Sequence, residues 1–245
     1  MTEMLKIVFY TGAGMSRESG LPTFRGEGGL WQMLDVDAVA DRRSWYCGRR
    51  SDCNARRQAM LDFFNPIRRM IIDAHPNDGH LMIAALERDF DVTVVTQNGD
   101  DLHERAGSTN VIHLHGEAMK NASTMHPYRS FAVDPADPDI RIGDKASDGS
   151  QVRPYVIFFN EDIELRLWRM AVEAVRSADV LAVVGSTMLV YPAAELLKMV
   201  GANCRLYIID PTEVQLPCGI THRCTHIRCG ASEGLERLLE LLNNV

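Results

Sequence analysis

Five short, nearly continuous apolar runs limit what this chain can become. They are Ile7–Tyr10, Val92–Thr96, Tyr155–Phe159, Val180–Val184 and Leu206–Ile209. Most of their residues are Val, Ile, Leu, Phe or Tyr. A strand without polar alternation has no water-facing side, so its sheet is covered on both faces. Between the runs lie segments with helical spacing, about Gly79–Arg88, Glu164–Ser177, Ala193–Met199 and Leu235–Leu242. Strands alternating with helices imply βαβ units and a doubly wound, Rossmann-like parallel α/β sheet. Ligands in such sheets gather at the carboxyl ends of the strands, where the winding direction switches.

Two stretches break the alternation. Residues 25–75 read as mostly helical and carry an arginine cluster, and residues 117–152 are polar and rich in Pro and Gly. Both are expected to be insertions that build a smaller lobe over the ligand edge. A length of 245 residues then fits one domain, 1–245, with a large and a small lobe. The formal net charge of −7 argues against nucleic acid as a partner, because neutralising phosphates needs a basic face. No apolar run approaches the roughly 18 residues that span a bilayer, so no membrane partner is expected. Six cysteines and no export signal point to reduced thiols in a cytoplasmic protein.

The first run feeds directly into Thr11-Gly12-Ala13-Gly14-Met15-Ser16. A strand leading through Gly-x-Gly into a helix can cradle a phosphate on its backbone N–H groups. The hydride-transfer fingerprint needs a third glycine at position 17, where Arg17 stands, so the ordinary dehydrogenase reading fails. A plain tight turn is the alternative. The continuation Thr23-Phe24-Arg25-Gly26, with Gly28-Gly29-Leu30-Trp31, suggests a loop closing over a dinucleotide. Arg25 would pair with phosphate and Phe24 would exclude water. The competing reading is a surface loop with a core-anchoring Phe and a salt-bridged Arg.

Gln97, Asn98 and Asp100 follow the second run, where amide and carboxylate groups can bind ribose hydroxyls and a carboxamide. Asp100 could equally cap a helix. Next come His113 and His115, two apart in an expected strand and therefore on one side of it. As metal ligands they lack a nearby cysteine or carboxylate pattern to complete a tetrahedral set. His115 precedes Gly116 at an apparent strand end, and its near-neutral pKa suits a general base.

Taken together, these blocks resemble the sirtuin family of NAD-dependent protein deacylases. The matching stretches are GAGMSRESGLPTFRG, TQNGDDLHERAG, HLHG, RPYVIFFNE and GSTMLVYPAAEL, in family order. The resemblance is to bacterial members of desuccinylase/deacetylase type. It implies NAD as cofactor, held by Gly12, Ala13, Gly14, Ser16, Thr23, Phe24, Arg25, Trp31, Gln97, Asn98 and Asp100. Gly185, Ser186, Thr187, Asp210 and Ala231 would meet its adenosine side. It also implies an acyl-lysine protein or peptide as substrate, with Asn98, Asp100 and His115 catalytic. The acyl oxygen would attack the anomeric carbon as nicotinamide leaves. His115 would deprotonate a ribose hydroxyl, and water would complete the release of free lysine and O-acyl-ADP-ribose. ADP-ribosyl transfer, NAD hydrolysis and a non-catalytic NAD sensor are the alternatives on the same fold.

Departures from the family pattern are informative. Most sirtuins carry two Cys-x-x-Cys pairs after the histidine block, whereas residues 116–152 contain no cysteine, so the expected metal content is none. A displaced site from Cys218, Cys224 and Cys229 with His222 and His226 has no familiar zinc spacing. Gly99 replaces a customary Ile or Val, and Asn160 stands where Gly is usual, in the Phe159–Asn160 region expected to pair with substrate. The subgroup binds acidic acyl tails through a Tyr and a following Arg. Here Phe64 has lost the hydroxyl and Arg68 remains, which predicts weakened desuccinylation beside at least comparable deacetylation.

Overall fold

The structure is a computed structural model, describing residues 4–24, 29–30, 35–188, 190–214 and 224–243. Its main sheet has six parallel strands. On one side of the central strand β1 (Lys6–Thr11) lie β2 (Asp91–Thr96) and β3 (Val111–His113). On the other side lie β7 (Val180–Val184), β8 (Arg205–Ile209) and β9 (Cys224–Ile227). The order β3-β2-β1-β7-β8-β9 reverses direction between β1 and β7, which makes that gap the topological switch point.

Apolar side chains alternate to two cores. Ile7 and Phe9 of β1 join Val94, Val184 and Ile209 on one face, beneath α5 (Asp78–Leu86) and α8 (Ala231–Asn243). Val8 and Tyr10 point the other way, to Leu181, Val183 and the helix α7 (Leu165–Ser177). Burial on both faces explains why these strands read as unbroken apolar runs. The expected runs are all found at β1, β2, β7 and β8, with β7 identical and the others extended by one residue at one or both ends. Two strands had no such signal: β3 is three residues long, and β9 is Cys-Thr-His-Ile.

The run Tyr155–Phe159 requires a correction. Its strand is β6 (Val152–Val156), and it lies outside the parallel sheet. It pairs antiparallel with β4 (Gly116–Ser123), which also pairs with β5 (Ser130–Ala132). Pro154 has no N–H to donate, and it faces Asn121 where the β4–β6 register shifts. Against this small sheet pack α3 (Arg42–Trp45) and the 21-residue α4 (Cys53–Asp73), while α2 (Val36–Ala40) rests on α3 and α4.

Two polar side chains fix α4 to the small sheet. Asn65 donates to the Ile140 carbonyl at 2.9 Å and accepts from the Ile140 N–H at 3.0 Å. Arg68, fully buried, donates to the carbonyls of Pro138 and Lys120 and to Asn121 Oδ1, at 2.8–2.9 Å. The reading of six reduced thiols is also corrected. Cys47 and Cys53 form a disulfide, because the turn between α3 and α4 brings their Cα atoms to 5.5 Å. Cys204 and Cys229 are buried and Cys224 is half-buried, and Cys218 and His222 lie outside the described residues. No helix among the described residues is long and apolar enough to cross a membrane.

Candidate active site

The turn after β1 and the turn after β7 meet backbone to backbone at the switch point. Gly12 N–H donates to the Val184 carbonyl at 3.0 Å, and Gly14 N–H to the Gly185 carbonyl at 2.9 Å. A Cβ on Gly12 would lie 2.6 Å from the Gly185 oxygen, and one on Gly14 would lie 2.6 Å from the Gly185 Cα. Gly185 itself has φ +60° and would strike Gly14 and Met15. The glycines of the first turn are therefore required by a close approach of two loops.

The segment after β2 reaches into the same place. Asn98 Nδ2 donates to the Gly12 carbonyl at 3.0 Å and to Ser16 Oγ at 3.1 Å. Ser16 Oγ in turn donates to Asp100 Oδ2 at 2.9 Å. The other oxygen, Asp100 Oδ1, accepts the Leu102 N–H at the start of α6 (Leu102–Ala106). The N-cap of α6 is Asp101 rather than Asp100, yet one Asp100 oxygen takes the first helical N–H while the other takes the Ser16 hydroxyl. Burial pushes its carboxyl up, against the hydrogen bonds from Ser16 and Leu102 that hold it down. Gln97 Oε1 accepts from Ser186 Oγ at 2.9 Å, linking the two sides of the switch point. Among the described residues Gln97 Nε2 is buried with no partner, an amide donor available to a polar ligand.

His113 binds the Asn98 carbonyl of this segment, and His115 lies beside the Gln97 backbone. His113 is the last residue of β3, so strand alternation does not govern His115, which lies in the following turn. His115 nevertheless reaches the Gln97 backbone, and its own carbonyl accepts the Ile157 N–H at 2.8 Å. Burial pushes its pKa down to about 4, leaving a neutral ring at pH 7 that can accept a proton. His113 Nδ1 lies 3.0 Å from the Asn98 carbonyl and Nε2 2.8 Å from Glu104 Oε1. Burial opposes its charge, but the hydrogen bond and charge of Glu104 outweigh this and raise its pKa.

The remaining expected residues fall in three groups. Ser186, Thr187 and Asp210 follow β7 and β8, and Ala231 opens α8, so all stand on the carboxyl side of the sheet. Asp210 is buried and accepts from Thr212 N–H and Oγ1 at 2.8 and 2.6 Å. Thr23 and Phe24 are half-buried, with the Thr23 carbonyl accepting the Leu30 N–H, whereas Arg25 and Trp31 lie outside the described residues.

Phe64, Arg68, Phe159 and Asn160 belong to the small lobe. Phe64 packs on Phe63 and Phe158. Arg68 is enclosed by the carbonyls named above, so the expectation that it binds an acyl tail is corrected. The Phe159 N–H and carbonyl bind Ala40 and Arg42, which replaces the expected pairing of this residue with substrate. Asn160 has φ +64°, and its Nδ2 binds the buried Asp41.

Beneath the site lies a layer that single-sequence reading missed. Thr11 Oγ1 donates to Thr96 Oγ1 at 2.8 Å and meets His103 Nε2 at 3.1 Å. The His103 ring contacts the His80 ring at 4.7 Å. Thr11 and Thr96 close the first two strands, a position that was their available signal.

In sequence and in fold the chain is similar to known proteins. Residues 12–192 match the model of the Sir2 family. An NAD-dependent protein deacylase of Bacteroides thetaiotaomicron is 42% identical over 245 residues, covering 98% of each chain. One of Mycobacterium tuberculosis is 36% identical over 243 residues, covering 97% of this chain and 98% of its own. A Sir2 homologue solved as a mutant with ADP-ribose superposes with a TM-score of 0.81 at 32% identity, covering 99% of this chain and 93% of that one. A Sir2 homologue–NAD complex gives 0.79 at 32% identity, with 99% and 91% covered. On the match across residues 12–192 and these full-length identities, this chain is a member of the Sir2 family.

Proposed function

We propose that this protein removes acyl groups from protein lysines in an NAD-dependent reaction, with residues 1–245 acting as one catalytic unit. The observation that carries this reading is the meeting of the Gly12–Ser16 turn, the Gln97–Asp100 segment and Gly185–Ser186 at the β1/β7 switch point, with His115 on the Gln97 backbone. The polar groups suit a dinucleotide: an orphaned amide donor at Gln97, hydroxyl oxygens at Ser16 and Ser186, and a carboxylate acceptor at Asp210. When bound, NAD supplies a glycosidic carbon that loses nicotinamide to an acyl oxygen. Asn98 and Asp100 hold the nicotinamide-ribose end through the Ser16 network. His115, neutral at pH 7, takes the proton of a ribose hydroxyl. Phe24 excludes water.

Acetyl-lysine is the preferred substrate over succinyl-lysine. All three contacts of the buried Arg68 guanidinium lie inside the small lobe, and Phe64 offers a ring where an acidic tail would need a donor. The substrates are protein segments rather than nucleic acid, in keeping with the net charge of −7. The cytoplasm, where NAD is supplied, is the proposed location.

Mass spectrometry of products from NAD with acetyl- and succinyl-lysine peptides tests the reading. The expected products are nicotinamide, deacylated peptide and O-acyl-ADP-ribose, formed faster from the acetyl peptide. Free ADP-ribose without peptide turnover, or no nicotinamide release at all, overturns it.

A further inference from the structure

A second cluster lies on the far side of the Asn98 carbonyl. Glu104 stands in α6, His113 closes β3, and Glu117 is the second residue of β4. One ligand atom from each lies within 4.8 Å of the other two. The His113 side chain is 6% exposed, whereas the carboxylates of Glu104 and Glu117 are 39% and 20% exposed, so solvent reaches the cluster from one side. No spacing in the sequence announced this trio, because the fold brings its members together from a helix and two different sheets.

We propose that Glu104, His113 and Glu117 form a binding site for a zinc-class divalent cation. Three features support it. First, Nδ1 of His113 faces the Asn98 carbonyl at 3.0 Å. When an ion displaces the Nε2 proton to water, this carbonyl keeps the hydrogen on Nδ1 and leaves the Nε2 lone pair facing the carboxylates. Metal-ligating histidines characteristically have their other nitrogen held in this way. Second, one imidazole with two carboxylates is a mixed nitrogen and oxygen set. It suits Zn²⁺, Co²⁺ or Ni²⁺, whereas Mg²⁺ and Ca²⁺ favour oxygen alone. Three protein ligands with water in the fourth position is a common zinc arrangement. Third, the carboxylates are already balanced by cationic partners. Glu104 holds the His113 ring at 2.8 Å, and Glu117 holds Lys120 Nζ at 2.7 Å. A divalent ion supplies the same compensation at one point, with the Lys120 ammonium released to solvent. Such an ion would tie β3 of the parallel sheet to β4 of the small sheet, in a lobe whose sequence has no zinc cysteines.

The test uses the full chain, freed of metal, titrated with Co²⁺ and read by its visible absorption. One saturable equivalent with d–d bands and no thiolate charge-transfer band is expected, displaced by Zn²⁺ but not by millimolar Mg²⁺ or Ca²⁺. His113→Gln and Glu117→Gln should each weaken binding at least tenfold. Lys120→Met, which removes the competing ammonium, should tighten it severalfold. Zn²⁺ should raise the melting temperature of the wild type more than that of Glu117→Gln. The absence of saturable binding, a thiolate band, or an affinity unchanged in Glu117→Gln overturns the proposal. Because Glu117 is more exposed than His113, that variant decides the question even if His113→Gln does not fold.

Discussion

Asn160 shows how one backbone angle can explain a substitution that sequence comparison leaves puzzling. At φ +64° a side chain is crowded by its own backbone, and glycine and asparagine are the residues that tolerate this best. Asn160 also bonds Asp41, which a glycine could not do. Asn160→Ala should therefore destabilise the protein by about 1–2 kcal/mol in denaturant titration, whereas Asn160→Gly should recover most of the conformational part. The position looked like a loss near the chemistry, because φ is not written in the sequence. His115 gives the complementary case. Its place before a glycine at a strand end was legible, but its contact with the Gln97 backbone was not. His115→Gln should abolish deacylation while NAD still binds, as seen by comparing peptide turnover with calorimetric NAD titration. Turnover within tenfold of the wild type would remove His115 as the base.

At the level of elements, α4 and its partners carry most of what the sequence concealed. Four strands of the parallel sheet, β1, β2, β7 and β8, were legible because both of their faces are apolar, and the same rule misassigned β6, whose apolar run belongs to a different sheet. Arg68 misled for a related reason. A charged residue on a helix reads as surface or site, yet here three oxygens enclose it. Burial lowers its pKa to about 10, still far above neutrality, so the charge stays. Arg68→Met would leave these acceptors without a donor and should cost roughly 2–4 kcal/mol, measured as lost stability. The ratio of succinyl to acetyl turnover should not change. A selective loss of desuccinylation would restore Arg68 to the acyl pocket. The Cys47–Cys53 disulfide closes a short loop at the start of α4. In the chain-entropy account such a loop adds about 2 kcal/mol, so reduction should lower the melting temperature by roughly 4–8 °C.

For the molecule as a whole, the buried layer under the site sets an acid limit. Burial pushes His80 down to about 4 and His103 well below the ordinary range. Both are neutral in the folded state, while in the unfolded chain they bind protons near pH 6.5. The stability they contribute is therefore complete above pH 6.5 and is lost as pH falls toward 4. For His80 alone this amounts to on the order of 3 kcal/mol. Denaturant titrations at pH 7 and pH 5 should differ in this direction, and His80→Gln should flatten the difference. Equal stabilities would mean that neither ring is held neutral. The overall winding was legible because it follows from local patterns, whereas this layer unites residues 11, 80, 96 and 103, which no local pattern connects. The contact of Gly12 and Gly14 with Gly185 has its own consequence. With no side chain between the two loops, the width of the crevice is set by main-chain atoms alone. Mutation can alter what lines that opening, but any residue larger than hydrogen at these three points must wedge its two walls apart.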